Sequence, residues 1–305
     1  MKKKLSDELD FIEINCMKKL SEFIFFIRAE YMIDNVMNIL EGLRNRTDFK
    51  KLLNACDPIG RFPELSAIEI AASDIAILYE TVLIDTPLSD FFSQYLEENT
   101  QDLKNFNEVQ TFFKEERPEK VRSSLKKILM EAFSRFCEQL NETSAQSMKS
   151  LLDMEADFKT MQVVYNSMED PKNERLKIRE TLCPAMGKLY PLYFANLKNV
   201  DSLEEMRDQV KGFLEYRALL SEVPEPNRIN EGYSKTLEDF MYEEEVKALS
   251  DSFDEQCNLA VFYSYVKLKE QEIRNVIWYV EMISRKLEKN DQAWKKIIVP
   301  FNDEL

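Results

Sequence analysis

Residues 121–140 read VRSSLKKILMEAFSRFCEQL, and their apolar positions decide the fold class. Val121, Leu125, Ile128, Leu129, Ala132, Phe133, Phe136 and Leu140 step by 4, 3, 1, 3, 1, 3 and 4, which places them on one face of an amphipathic helix. The same period runs through Leu5, Leu9, Ile12, Cys16, Leu20, Phe23, Ile24, Ile27 and Tyr31, a stripe expected to continue to Leu40 and stop at Gly42. It returns from Phe253 to Leu268 and from Ile273 to Leu287, in a stretch with no Gly or Pro between Gly232 and Pro300 that has room for one or two long helices. No segment alternates with period 2, and so few glycines leave little material for hairpin turns. The fold is expected to be all-α.

Turn chemistry marks the breaks at Asp57-Pro58-Ile59-Gly60, Asp85-Thr86-Pro87, Cys183-Pro184 and Val223-Pro224-Glu225-Pro226-Asn227. Thr86 reads as an N-cap with Pro87 at the first helical position, and Ser202 with Glu205 as a capping box. Polar stretches at Glu97–Lys120 and Ser221–Tyr233 divide the chain into three expected lobes: 1–110, 111–220, and 221–305 with long C-terminal helices.

Composition removes several chemistries. The 305 residues contain no His, so neither a Ser-His-Asp nor a Cys-His nucleophilic site nor a His-ligated metal can be built. The closest pair among the five glycines is Gly42 and Gly60, 18 residues apart, which forbids GxGxxG and GxxxxGK[ST] phosphate loops. With 41 Lys+Arg against 56 Asp+Glu the net charge is −15, and such a chain repels a phosphate backbone unless a local basic face overcomes it. The odd set of Cys16, Cys56, Cys137, Cys183 and Cys257 has no zinc-like spacing and reads as reduced, buried thiols. The opening MKKKLSDELD lacks the apolar core of a signal peptide, and no apolar run approaches the roughly 18 residues of a membrane span. Carboxylates remain, but a diiron bundle would need Glu-x-x-His, and Glu155-Ala156-Asp157 and Glu243-Glu244-Glu245 lack DDxxD spacing. No catalytic, cofactor-binding or metal-ligating residue is expected. The charged knot Lys267, Lys269, Glu270, Glu272 and Arg274 around Gln271 reads as i,i+4 pairs on a helix surface, or as a polar interface patch.

Several blocks have no simple periodic explanation: Tyr31-Met32-Ile33-Asp34-Asn35-Val36, Leu83-Ile84-Asp85-Thr86-Pro87-Leu88-Ser89-Asp90-Phe91-Phe92, Met154-Glu155-Ala156-Asp157, Gly187-Lys188-Leu189-Tyr190-Pro191, and Phe262 to Trp278, reading FYSYVKLKEQEIRNVIW. In this order, from about Leu20 to about Ser284, they resemble subunit d of the vacuolar-type proton ATPases, a family that also holds its counterpart in the archaeal A-type ATPases. The resemblance implies three related helical lobes around a central funnel and a non-catalytic rotor adaptor without cofactor. Its implied partners are the proteolipid c-ring and the central stalk subunits D and F, with the N-terminal domain of stator subunit a as a further candidate. The implied place is peripheral, on the cytosolic face of a vacuolar or other endomembrane. The motif residues Tyr31, Asp34, Asn35, Asp85, Thr86, Pro87, Glu155, Asp157, Tyr190, Pro191, Lys267, Glu270, Gln271, Glu272, Arg274 and Trp278 are expected to serve core and lobe junctions rather than partner contacts.

The departures from the family pattern are specific. Most of the region that the family carries ahead of the Tyr31 block is missing, implying a reduced first lobe. Ile273 stands where the family often has a cysteine, so no disulfide is expected there. Phe158 and Lys159 replace paired basic residues after Glu-Ala-Asp, the histidine near Glu244 is absent, and the Glu97–Lys120 connection is longer. Two other readings stand beside the adaptor: a free-standing cytosolic helical scaffold of the same descent, and a carboxylate-metal helical enzyme.

Overall fold

A computed structural model describes residues 1–66, 86–99, 117–223, 235–286 and 292–301. Among the described residues there are helices and no strand, as the all-α reading expects. The chain divides into two compact units, Met1–Phe133 and Ser134–Leu305.

In the first unit α1 (Lys2–Asn15) and α2 (Lys18–Arg44) carry the first apolar stripe, but not as one helix. Cys16 and Met17 are extended, with ψ of 167° and 156°, and the chain turns back on itself. The buried guanidinium of Arg28 holds the turn closed: it reaches the Ser6 carbonyl at 3.3 Å, Glu13 at 3.7 Å, and Asp10. The apolar period is continuous across this break because Leu5, Leu9, Phe23, Ile24 and Ile27 are all buried, so periodicity alone could not show it.

Gly42 does not end α2 as expected. It lies inside the last turn, where a Cβ would sit 2.3 Å from a Leu52 methyl of α3 (Phe49–Ala55), so its bareness serves helix packing. The stop is a Schellman motif around Arg46, whose φ is 59°: Thr47 N–H donates to the Gly42 carbonyl at 2.8 Å and Arg46 N–H to Leu43 at 2.9 Å. Farther on, α4 (Ser89–Asn99) begins two residues later than the Thr86–Pro87 cap predicts. Thr86–Leu88 form a separate turn, and the fully buried Leu88 accepts from both Phe91 and Phe92 N–H. The apolar stripe of 121–140 is α5 (Pro118–Cys137), with Val121, Leu125, Ile128, Leu129 and Phe133 buried; Leu140 falls beyond its end. Val121 to Leu129 join Ala29, Ile33, Val36, Phe92 and Tyr95 in the core of this unit.

The second unit contains α6 (Glu142–Asn166), α7 (Lys172–Leu182), α8 (Phe194–Leu197), α9 (Leu203–Val210), α10 (Leu214–Glu222), α11 (Leu237–Asp251) and α12 (Ala260–Ser284). Its main packing is of α6 and α12 against α11. Ser202 caps α9 by accepting from Glu205 N–H, but Glu205 returns its carboxylate to Asp201 N–H rather than to Ser202. A complete capping box stands at Thr236 and Asp239 instead. The stripe between Gly232 and Pro300 divides at residues 252–259, where Cys257 takes a φ of 57° and Asn258 Oδ1 accepts from Ala260 N–H at 2.9 Å. All five cysteines are free thiols; Cys56, Cys137 and Cys183 are buried, while Cys257 is exposed, against the expectation of buried thiols throughout.

One residue of this unit has no apolar signature. Arg179, fully buried, donates from Nε to Ser167 Oγ at 2.8 Å, from one terminal nitrogen to the carbonyls of Leu197, Lys198 and Val200 at 3.3, 3.1 and 2.7 Å, and from the other to Val164 at 2.8 Å. These carbonyls lie at or just beyond the C-terminal ends of α6 and α8, so the cation also meets the negative ends of two helices. Burial lowers its pKa to about 10, which leaves it charged at neutral pH.

Two substitutions test this packing. Arg179→Lys keeps the charge but has three donors in place of a five-donor fork, and is expected to cost about 3 kcal/mol in urea unfolding. Gly60→Ala would place a Cβ 2.3 Å from the Tyr31 carbonyl carbon and 2.6 Å from Met32 N, backbone that cannot yield, and should lower the melting temperature by roughly 4 °C or more, whereas Gly212→Ala, with its nearest neighbour 3.9 Å away, should be neutral.

Candidate functional site

The motif residues fall into three clamps, each fixing backbone that lies outside the α-helices. In the first unit Asn35, 1% exposed, grips Asp57 on both sides: Nδ2 donates to the Asp57 carbonyl at 2.9 Å and Oδ1 accepts from Asp57 N–H at 2.7 Å. Ser6 Oγ donates to the Pro58 carbonyl at 3.0 Å and Asp57 pairs with Lys2 at 2.5 Å, so α1, α2 and the loop after α3 are tied at one point. Tyr31 is buried one turn earlier, its backbone forming the surface on which Gly60 lies. Asp34, beside Asn35 on α2, pairs instead with α5: Lys126 at 2.9 Å and Arg122 at 3.4 Å. Burial acts to lower the Lys126 pKa, but Glu30 and Asp34 outweigh it and the pKa is raised. Thr86 is buried in the turn before α4, Pro87 beside it is exposed, and Asp85 lies outside the described residues.

The second clamp joins Glu-Ala-Asp to the Gly-Lys-Leu-Tyr-Pro block. Asp157 is fully buried on α6, and its carboxylate accepts from Lys188 N–H and Leu189 N–H, both at 3.0 Å, and from Tyr216 Oη at 2.7 Å. Gly187 has a φ of 99°, and a Cβ there would stand 2.3 Å from Asp157 Oδ1, so the turn can approach the carboxylate only as glycine. Burial raises the Asp157 pKa against the three donated hydrogen bonds, and raises that of the Tyr216 hydroxyl as well. Tyr190 and Pro191, joined by a cis peptide bond, continue outward, and Tyr190 is substantially exposed. A cleft of about 360 Å³ opens beside this clamp, floored by Met154, Phe158, Tyr216 and Leu219. At its edge Lys188 and Lys247 are paired with Glu215 and Glu244 at 3.3 and 2.6 Å.

The third clamp is α12. Trp278 Nε1 donates to the Ala293 carbonyl at 2.8 Å; Asn275 donates to the Ile298 carbonyl at 2.6 Å and accepts from Ile298 N–H at 3.2 Å. Gln271, only 3% exposed, orients Asn275 through a 2.9 Å hydrogen bond and accepts from Arg274, whose guanidinium lies 3.6 Å from the centre of the Tyr242 ring. Two turns earlier Tyr263 donates to Glu155 of α6, and Lys267 lies over the Tyr263 ring at 5.5 Å. Glu270 is half-buried, and the exposed Glu272 pairs with Lys269 at 2.7 Å. The charged knot is therefore half surface pairs and half a buried junction, which one-dimensional spacing could not separate.

Asp157, Glu155 and Tyr190 come together with their neighbouring blocks in the second unit, while Tyr31, Asp34 and Asn35 form their own group in the first. Sequence reasoning missed Arg179, Tyr242, Glu245 and Asn275. Only Asn275 lay within a block the sequence singled out, and Arg179, with Arg175 four residues before it, forms the buried face of α7 that hydropathy assigns to water. Among the described residues no group of three or more Cys, Asp or Glu is placed to hold a metal ion.

The second clamp has a direct test. Asp157→Asn puts an amide NH₂ among three donors, leaves one of them without an acceptor, and is expected to destabilise the protein by about 2–4 kcal/mol in chemical denaturation; Tyr216→Phe should cost about 1 kcal/mol, and the double variant less than the sum.

Comparison with known proteins shows the family of the chain. The family model described as ATP synthase (C/AC39) subunit matches residues 1–292, a span wider at both ends than the blocks themselves. A probable V-type proton ATPase subunit d from Oryza sativa subsp. japonica is 32% identical over 284 residues, covering 92% of this chain and 74% of that protein. The V-type proton ATPase subunit d of Dictyostelium discoideum is 32% identical over 287 residues, 93% of this chain and 74% of that protein. That of Saccharomyces cerevisiae is 30% identical over 283 residues, 92% and 75% respectively. With nearly its whole length covered by these matches, the chain belongs to the ATP synthase (C/AC39) subunit family, and it is similar to the d subunits of V-type proton ATPases.

Proposed function

We propose that this chain is a non-catalytic coupling subunit of a vacuolar-type proton-pumping ATPase, a rotor adaptor that receives the central stalk, subunits D and F, and seats it on the proteolipid c-ring. Torque from ATP hydrolysis elsewhere in the complex passes through it to the ring. The observation that carries this reading is the family match over residues 1–292, with relatives named as subunit d at about one residue in three identical. In this role three lobes, 1–110, 111–220 and 221–305, surround a funnel for the stalk, and the N-terminal domain of stator subunit a is a further contact. The chain works as a peripheral subunit on the cytosolic face of a vacuolar or other endomembrane; no described helix is long and apolar enough to cross a bilayer.

The physical chemistry supports an assembly partner rather than a catalyst. The buried carboxylates and amides of the clamps are engaged in holding backbone, which is what a torque-bearing part requires and a reactive site does not. In the second half of α12, Val276, Ile277, Val280 and Ile283 are exposed at 45%, 64%, 59% and 57%, an apolar stripe that a partner would cover in a complex. The motif residues support these surfaces from within and are not themselves the contacts.

A tag at the C-terminus, gentle solubilisation of membranes from the source cells, and mass spectrometry of what is captured provide the test. Recovery of the proteolipid with stalk and head subunits is the expected outcome. The tagged chain alone in the soluble fraction would overturn the adaptor reading in favour of a free-standing scaffold.

A further inference from the structure

The cleft beside Asp157 is walled by three helices of the second unit: Met154 and Phe158 come from α6, Tyr216 and Leu219 from α10, Ala248 and Asp251 from α11. Its volume of about 360 Å³ is at the small end of ligand pockets, a space for one long side chain. The floor is apolar, since the Tyr216 hydroxyl is spent on Asp157 and the other floor residues carry no polar group. Around it the charges stand in pairs with one left over. Lys188 holds Glu215 at 3.3 Å and Lys247 holds Glu244 at 2.6 Å, while Asp251 makes no ion pair with any described residue. Asp251 is also the last residue of α11, whose final turn contains no basic residue. The carbonyls at that end carry the negative pole of the helix, and a carboxylate there adds to their potential instead of opposing it. A spare carboxylate and an uncompensated helix end therefore meet at one side of the cleft, and both favour a cation. An anion would find both lysines already engaged.

The apolar surface continues outside the cleft. The Tyr216 ring lies 5.5 Å from that of Phe213, and Phe213 lies 4.9 Å from Tyr193. Leu192 and Leu214, next to these rings in the chain, are exposed at 80% and 72%. A free small cation leaves that surface bare, whereas a polypeptide covers it together with the cleft. We propose that the cleft takes an arginine side chain from a partner protein, with an apolar residue beside that arginine lying on Leu214 and Tyr193. The arginine stem lies along Met154 and Leu219, and its guanidinium meets Asp251 and the end of α11. Arginine suits this place better than lysine, because its planar fork serves a carboxylate and helix carbonyls together and is less strongly hydrated than an ammonium. The docking does not rest on the pump reading, since a free-standing scaffold would present the same cleft.

The test uses the full chain, isotopically labelled at its methionine methyl groups, with the Met154 resonance assigned through Met154→Leu. The probe is the blocked peptide acetyl-Gly-Leu-Arg-Leu-Gly-amide, titrated beside a version with citrulline, which keeps the stem and shape of arginine without its charge. The arginine peptide should shift the Met154 methyl saturably and bind about fivefold more tightly than the citrulline peptide, the upper end of what an exposed ion pair supplies. Asp251→Asn should remove most of that preference, and so should raising the salt to about 0.5 M. Equal affinity for the two peptides would overturn the arginine site, and this comparison needs no variant. A preference untouched by Asp251→Asn, or a Met154 methyl unmoved by either peptide up to roughly 10 mM, would overturn it as well. Spermidine shifting the methyl at lower concentration than the arginine peptide would replace a docking site with a small-cation site.

Discussion

A guanidinium with no carboxylate in its immediate grip holds the second unit together. Arg179 spends its donors on four main-chain carbonyls and one hydroxyl at or just beyond the C-terminal ends of α6 and α8. Burying such a cation is tolerable only because its hydrogen-bonding capacity is met and the helix ends supply negative potential. Because those carbonyls flank the start of α7 and the entry to α9, the positions of Val164, Leu197 and Val200 in the apolar core follow from where Arg179 sits. Arg175, one turn before it, repeats the device on the Met168 carbonyl and pairs with Asp201.

The motif clamps follow the same rule in other chemistry. Asn35 on Asp57, Asp157 on the Gly187 turn, and Asn275 on Ile298 each use one side chain on a long helix to fix a non-helical segment, and each accepts or donates at more than one point. A helical protein poor in glycine has few other means of locating its connections, since helix–helix packing positions cylinders but leaves the loops between them undetermined. Polar residues placed this way give a structure that resists deformation where it would otherwise be softest. For a part proposed to carry torque, stiffness at the connections matters more than reactive chemistry.

The all-α class, the stripe of α5 and the blocks that mark the family were all legible in one dimension, because helical burial imposes a period and because the blocks keep their order. The break at Cys16–Met17 was not, since both halves of the hairpin bury the same face and the period passes through the turn unchanged. Gly42 read as a stop and proved to be a contact with Leu52, because only the neighbouring helix shows why a side chain is missing. Arg175 and Arg179 gave no sign of burial in hydropathy, which assigns a guanidinium to water unless the carbonyls that replace water are already in view. The sequence by itself determined which segments are helical and which family they compose, both being properties of local order along the chain. Tertiary structure alone decided which polar residues are buried and what they hold, because a hydrogen bond between residues far apart in sequence exists only once the chain has folded.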